Sequence, residues 1–147
     1  MTTRIRLIAA ALAAAVSATA LAAGPVLMHR DPGCPCCEKW AAQVKAQFGR
    51  AVTIIDDANR PAFMKGRGVP GDLASCHTAI MDGMTFEGHV PIADNKRALA
   101  TRLKGMTGLA VAGMPMGPPG MEVSGMKVAH YDVVGFGRGG RRVFAHH

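Results

Sequence analysis

Three cysteines fall within four residues, at Cys34, Cys36 and Cys37, between two segments of different periodicity. Before them, Val26 to Arg30 is a short apolar run that reads as a strand, closed by the turn residues Asp31-Pro32-Gly33. After them, Trp40, Val44 and Phe48 recur at helical spacing and Gly49 ends the run. The cluster therefore sits where a strand turns into a helix. Unpaired backbone N–H groups and the helix dipole stabilise a thiolate at such a place. Thiolates are both nucleophiles and metal ligands.

The spacing resists an ordinary disulfide framework. Four cysteines in an exported chain would suggest two bridges. A bridge between the neighbours Cys36 and Cys37 would be strained. A Cys34–Cys37 bridge is sterically reasonable, and it would leave Cys36 and Cys76 to pair or stay reduced.

Export itself is read from the N-terminus. Arg4 and Arg6 precede an alanine-rich apolar run from Leu7 to Val16, and Ala20-Leu21-Ala22 supplies small residues for cleavage. Residues 1–22 are expected to be a signal peptide and 23–147 a single domain in the periplasm. The run is short for a membrane span, so stable membrane insertion is not expected. Loss of Arg4 and Arg6 takes the formal net charge from +7 to about +5. The basic residues are scattered and aromatics make up only 5% of the chain, so base-stacking platforms and nucleic-acid binding are not expected.

The remaining pattern predicts an α/β fold. Val52–Ile55 reads as a strand and Pro61–Lys65 as a short helix. Thr78–Met81 and Met84–Glu87 flank Asp82-Gly83 as a hairpin, and Pro91–Lys104 reads as a helix with Ile92, Leu99 and Leu103 near one face. The order β-α-β-α-β-β-α is the thioredoxin-like arrangement. From Gly105 to Met126, glycine, proline and methionine dominate and no regular structure is expected. Tyr131–Phe136 and Arg142–Phe144 are expected to pair as a C-terminal hairpin.

Sulfur-rich ligand sets suit Cu(I), zinc or iron–sulfur clusters. Zinc prefers four separated ligands in a tetrahedron, whereas Cu(I) accepts low coordination and thioether sulfur. The loop methionines favour copper, chiefly Cu(I) with Cu(II) as a second state, over zinc. Cys76-His77, just before the third strand, would face the cluster, and His89 ends the fourth strand. Met114, Met116 and Met121, set among glycine and proline, are the preferred ligands from a lid. Cys36 and Cys37 cannot easily aim both sulfurs at one ion, so bridging thiolates and a polynuclear copper site are the economical arrangement. His146-His147 is a weaker ligand pair or a free tail.

The strings Asp31-Pro32-Gly33-Cys34-Pro35-Cys36-Cys37-Glu38-Lys39-Trp40, Leu73-Ala74-Ser75-Cys76-His77-Thr78-Ala79 and Glu87-Gly88-His89-Val90-Pro91 agree in order with a known family. So do Gly108-Leu109-Ala110-Val111, Gly113-Met114-Pro115 and Pro119-Gly120-Met121-Glu122. The chain resembles the domain-of-unknown-function 411 proteins, which include the CopG-like copper-resistance proteins, from about Val26 to about Phe136. The resemblance implies a thioredoxin-like fold, a periplasmic location and copper binding at Cys-x-Cys-Cys. Pro35 stands where many relatives carry glycine, which removes one backbone donor. Three roles follow: a copper-binding protein of a copper-tolerance system, a thiol–disulfide oxidoreductase with Cys34 as nucleophile and Cys37 resolving, or a chaperone that passes copper to an exporter or another periplasmic copper-handling protein.

Overall fold

Alternation along the first strand sets the frame. In β1 (Val26–Arg30), Val26, Met28 and Arg30 are buried while Leu27 and His29 are half-buried, the two-residue period of a strand covered unequally on its two faces. The computed structural model describes residues 24–102 and 104–147. The expected signal peptide at 1–22 and Leu103 lie outside the described residues.

After β1 come α1 (Pro35–Phe48), β2 (Val52–Asp56), α2 (Arg60–Gly66), a short 3-10 turn at Gly71–Leu73, β3 (His77–Met81), β4 (Met84–Glu87) and α3 (Ile92–Thr101). The chain closes with β5 (Gly108–Ala110), β6 (Asp132–Gly137) and β7 (Gly140–His146). The described strands form one seven-stranded sheet in the order β2-β1-β3-β4-β5-β6-β7. β1 runs parallel to β2 and β4 parallel to β5, and the other neighbours are antiparallel. The fold is thus mixed α/β, with three α-helices among the described residues.

Helix α1 begins at Pro35, whose missing N–H would be unpaired in a first turn anyway. Cys37, Trp40, Ala41 and Val44 form its buried stripe, spaced to pack one helical face on the sheet. The β3–β4 turn is Asp82-Gly83, both at positive φ (47° and 81°), as a tight hairpin of right-handed strands requires.

The core has two parts. The larger joins Trp40 and Val44 of α1 to Met28, Ala79, Phe86 and Leu109 of the sheet. The smaller joins Met64 of α2 and Leu73 to Ala110 and Phe136. Leu109 and Ala110, adjacent on one strand, thus serve opposite faces.

Strand β5 corrects the expectation that no regular structure occurs between Gly105 and Met126. Three residues carry no period, and only tertiary packing makes them a strand. Gly108 permits it: a Cβ there would collide with the Thr85 carbonyl oxygen and the Phe136 ring. The segment from Val111 to Tyr131 is irregular, as its composition implies. Helix α3 stops at Thr101, short of the expected Lys104, because Arg102 turns into the left-handed region.

Gly108→Ala is expected to cost about 1–3 kcal/mol of stability through overpacking. Gly71→Ala, where an added methyl meets nothing within 4 Å, should stay within about 0.5 kcal/mol. Urea unfolding of the two variants beside the parent checks the contrast.

Candidate metal centre

The turn into α1 is fixed from below. Arg30 donates from Nη1 to the Cys34 carbonyl at 2.9 Å and to Glu38 at 2.7 Å, and from Nε to Asp56 at 2.6 Å. The hydrogen bond from Arg30 holds the Asp56 carboxyl below its ordinary range. The Cys34 N–H closes the turn on the Asp31 carbonyl at 3.2 Å. Cys34 is therefore the N-cap residue of α1, and Cys36 and Cys37 lie in its first turn.

This arrangement gathers the cysteines. The sulfurs of Cys34, Cys36, Cys37 and Cys76 all lie within 4.8 Å of one another. Cys34 and Cys37 are joined by a disulfide, while Cys36 and Cys76 are free. Cys34 Sγ is 3.2 Å from Cys36 Sγ, and Cys37 Sγ is 3.4 Å from Cys76 Sγ. Cys34 and Cys36 are half-buried; Cys37 and Cys76 are buried.

A second group overlaps the first. Ligand atoms of Cys37, Cys76, His77 and His89 also lie within 4.8 Å of one another, and all four residues are buried. His89 Nε2 is 3.2 Å from Cys76 Sγ, and His89 Nδ1 is 2.7 Å from the Pro119 carbonyl oxygen. A carbonyl only accepts, so Nδ1 carries the proton and Nε2 turns its lone pair toward the sulfur. Burial pushes both imidazoles down, His77 far down with help from His89 and Arg60, so both stay neutral. Burial pushes the Cys76 thiol up to about 12, with Cys36 adding to the shift. An ion that reaches Cys76 must displace its proton.

The donor set fits a soft ion. It offers sulfur and neutral imidazole nitrogen, buried at Cys37, Cys76, His77 and His89. Within it, His77 Nε2 is fully buried and has no hydrogen-bond partner. The His77 nitrogen that faces the sulfurs is Nδ1, 3.7 Å from Cys76 Sγ.

A strap covers the centre. Gly113 N–H bonds to the Ala74 carbonyl at 2.9 Å, and Ser75 Oγ donates to the Gly113 carbonyl. Further on, Gly120 lies so close to α1 that a Cβ would meet the Cys36 oxygen at 2.5 Å and the Trp40 nitrogen at 3.0 Å. Glu122 fastens this crossing, accepting from Gly120 N–H at 2.7 Å and from Gln43 at 2.8 Å. Met116 and Met121 are half-buried on the strap, and Met114 is 59% exposed. At the centre itself the strap is fastened by the Pro119 carbonyl, which accepts from His89 Nδ1, beside the close approach of Gly120 to α1.

Sequence reasoning missed the scaffold behind the ligands. Arg60 is 4% exposed. It donates to Asp31 at 2.6 Å, to Glu87 at 3.1 Å and to the Ser75 carbonyl. Glu87, fully buried, also accepts from Ser75 N–H at 2.8 Å and from Thr78 Oγ1 at 2.6 Å. Burial pushes the Glu87 carboxyl up, and these hydrogen bonds pull the other way. A single arginine before a proline carries no signal in a sequence. Glu87 stood only as a letter of a longer string.

Comparison with known proteins adds a family. Residues 73–121 match the family described as a protein of unknown function, DUF411. That stretch contains Cys76, His77, His89 and the three preferred methionines, and begins after the Cys34–Cys37 turn, which it leaves out. Two solved structures of a copper-resistance protein CopG are similar along nearly their whole length. Form 2 is 40% identical, with 84% of this chain and 97% of that one covered and a TM-score of 0.76. Form 1 is 38% identical, with 86% and 98% covered and a TM-score of 0.78. No curated protein sequence is a significant match.

Arg60→Ala is expected to lower stability by about 3–5 kcal/mol, because it leaves Glu87 buried without its counter-charge. Arg60→Lys should recover only part of this, since one ammonium cannot reach three partners with a fork's geometry. Urea unfolding measures both, and a loss below about 1 kcal/mol for Arg60→Ala would contradict the scaffold role.

Proposed function

The chain belongs to the DUF411 family, that of the copper-resistance protein CopG, and we propose that it binds copper in the periplasm as part of a copper-tolerance system. The observation that carries this reading is the paired ligand group: four sulfurs and two neutral imidazoles are gathered in two overlapping groups, half-buried at Cys34 and Cys36 and buried at Cys37, Cys76, His77 and His89. Sulfur at this density suits Cu(I) before zinc.

The copper is held by Cys34, Cys36, Cys37 and Cys76, with His77 and His89 closing the buried side. Met114, Met116 and Met121 belong to the same set as outer ligands on the strap. Cys36 and Cys37, as chain neighbours, serve one ion together only with strain, so thiolates bridge two or more ions. Loading this set requires the Cys34–Cys37 bridge to open. Two electrons and two protons from a dithiol donor convert it to two thiols, and copper then displaces the thiol protons.

Export through residues 1–22 and a thioredoxin-like core belong to the same proposal. The core is supported by the order β2-β1-β3-β4, with β1 parallel to β2 and β3 antiparallel to both its neighbours. Strands β5 to β7 extend that core. Among the described residues no helix is long and apolar enough to cross a membrane. Delivery to an exporter or another periplasmic copper-handling protein is compatible with a strap that must part from α1.

The disulfide favours a second reading, a thiol–disulfide oxidoreductase with Cys34 as nucleophile and Cys37 resolving. Cys36 and Cys76 separate the two, because disulfide exchange needs neither and a copper cluster uses both.

Reduced protein loaded without oxygen is expected to retain more than one Cu(I) per chain against a Cu(I) chelator, with copper–copper scattering in X-ray absorption. One copper without such scattering would rule out the bridged cluster. Cys36→Ser should abolish loading while sparing any disulfide reductase activity. Full loading of that variant would place the oxidoreductase reading first.

A further inference from the structure

The basic charge of the chain is unevenly placed. Eight of its seventeen Lys and Arg residues follow Asp94, but of its ten acids only Glu122 and Asp132 do. The fold draws part of that excess together. A cleft of about 500 Å³ lies between the end of α2 and the β6–β7 turn, lined by Arg67, Arg138 and Arg141. Phe136 and Pro70 add apolar surface, and among the described residues no acid lines it.

The three guanidinium groups are held differently. Arg67, half-buried, donates from Nε to Thr85 Oγ1 at 3.3 Å and from Nη2 to the Gly83 carbonyl at 3.5 Å. Neither bond uses its Nη1. Arg141 donates from Nη1 to the Asp72 carboxylate and so holds that carboxyl below its ordinary range. One guanidinium of the cleft is thus already placed to hold a carboxylate. Arg138 stands exposed in the two-residue turn between β6 and β7. Gly66, Gly68 and Gly140 leave the walls open, since a Cβ at any of them would meet nothing within 4 Å.

The cleft adjoins a free sheet edge. β7 is last in the sheet order, so no strand lies on its outer side. Gly140 to Val143 are exposed there, and Arg97 covers the far end by donating to the Phe144 carbonyl at 2.9 Å. Charged residues guard such edges against pairing, which accounts for Arg141 and Arg142. It does not account for Arg67, which lies across the cleft at the C-cap of α2. The β6–β7 turn is at the sheet end that carries Asp82-Gly83, whereas the cysteines gather at the other end, where β1 stops and β3 begins. β7 is also five strands from β1, roughly 24 Å at about 4.8 Å per strand.

We infer that this cleft and the β7 edge form a docking site for an extended acidic segment of a partner protein. Side-chain carboxylates meet the planar forks of Arg67, Arg138 and Arg141, and the main chain of the segment pairs along Gly140 to Val143. A peptide fits better than nucleic acid, because the one aromatic ring of the cleft, Phe136, is 1% exposed and offers a base no platform. It fits better than an anionic membrane, because the charges line a recess beside a strand edge. A partner held here leaves the strap over the metal centre free to part. The inference does not depend on what that centre binds.

The test uses the full-length chain and fluorescein-labelled hexaglutamate, followed by fluorescence anisotropy at low ionic strength. Saturable binding is expected. Arg67→Gln combined with Arg138→Gln should weaken it roughly tenfold, because two charge-assisted forks are lost. Lys39→Gln combined with Lys45→Gln removes the same charge from exposed positions of α1 and should change it by less than about twofold. Arg138→Gln alone, at an exposed turn where folding is not at stake, should weaken it about threefold. Amide shifts on titration are expected at residues 66–68 and 137–143. Equal weakening by the two double variants would show a diffuse charge effect and overturn the site, as would amide shifts confined to other segments. Arginine-dependent binding of phosphatidylglycerol vesicles or a single-stranded oligonucleotide, with hexaglutamate left unbound, would overturn the peptide as occupant.

Discussion

The candidate metal centre depends on one buried guanidinium that never touches it. Arg60 joins Asp31, Ser75 and Glu87, and each of these stands one to three residues before a candidate ligand. Asp31 begins the turn to Cys34, Ser75 precedes Cys76, and Glu87 lies two residues before His89. Three segments distant in sequence are thereby held to one corner. Arginine suits this role because its planar fork keeps five donors in fixed directions and cannot be neutralised. The pair with Glu87 is fully desolvated, so its worth lies in geometry more than in net stability. Neither charge can be withdrawn without leaving the other buried.

Burial then decides the chemistry. A carboxylate or lysine in such surroundings would be costly, but neutral imidazole and thiol tolerate them. Trp40 seals the inner side: its indole N–H bonds to the Val90 carbonyl at 3.0 Å, and its ring lies 4.6 Å from that of His77. His77 meets His89 edge to face at 5.0 Å. The imidazoles are thus held neutral and oriented, as ligands for a soft ion must be. The half-buried side, with Cys34 and Cys36, remains the approach from solvent.

Much of this was legible in the sequence because it was local. Val26–Arg30, the Asp82-Gly83 turn and the helix after the cysteine cluster each carry their own period or turn chemistry, and each stands where expected. The convergence of Cys76, His77 and His89 on the cluster followed from strand order, since residues entering β3 and leaving β4 reach the end of β1 where α1 begins. What was not legible is non-local. Strand β5 exists because Gly108 lets Phe136 lie against the backbone, and nothing in its own three residues says so. Arg60 reads as a surface charge until its three partners are brought to it. The fastening of the strap, a proline carbonyl and a glycine too close to the helix for any side chain, is likewise non-local.

The strap also explains how a centre this buried can exchange an ion. Its hold consists of the Gly113 bonds to Ala74 and Ser75, the His89–Pro119 bond, the Glu122 tether to Gln43 of α1 and close packing at Gly120. Each hydrogen bond of this kind is worth about 1 kcal/mol net, so the strap can part without unfolding the sheet. Beneath it, the sulfurs and imidazoles of the candidate centre lie within 4.8 Å of one another in each group. A ligand that binds only the folded state adds stability by mass action. A corner of soft donors under a strap held by a few hydrogen bonds is suited to capture an ion, and the strap must yield again for release.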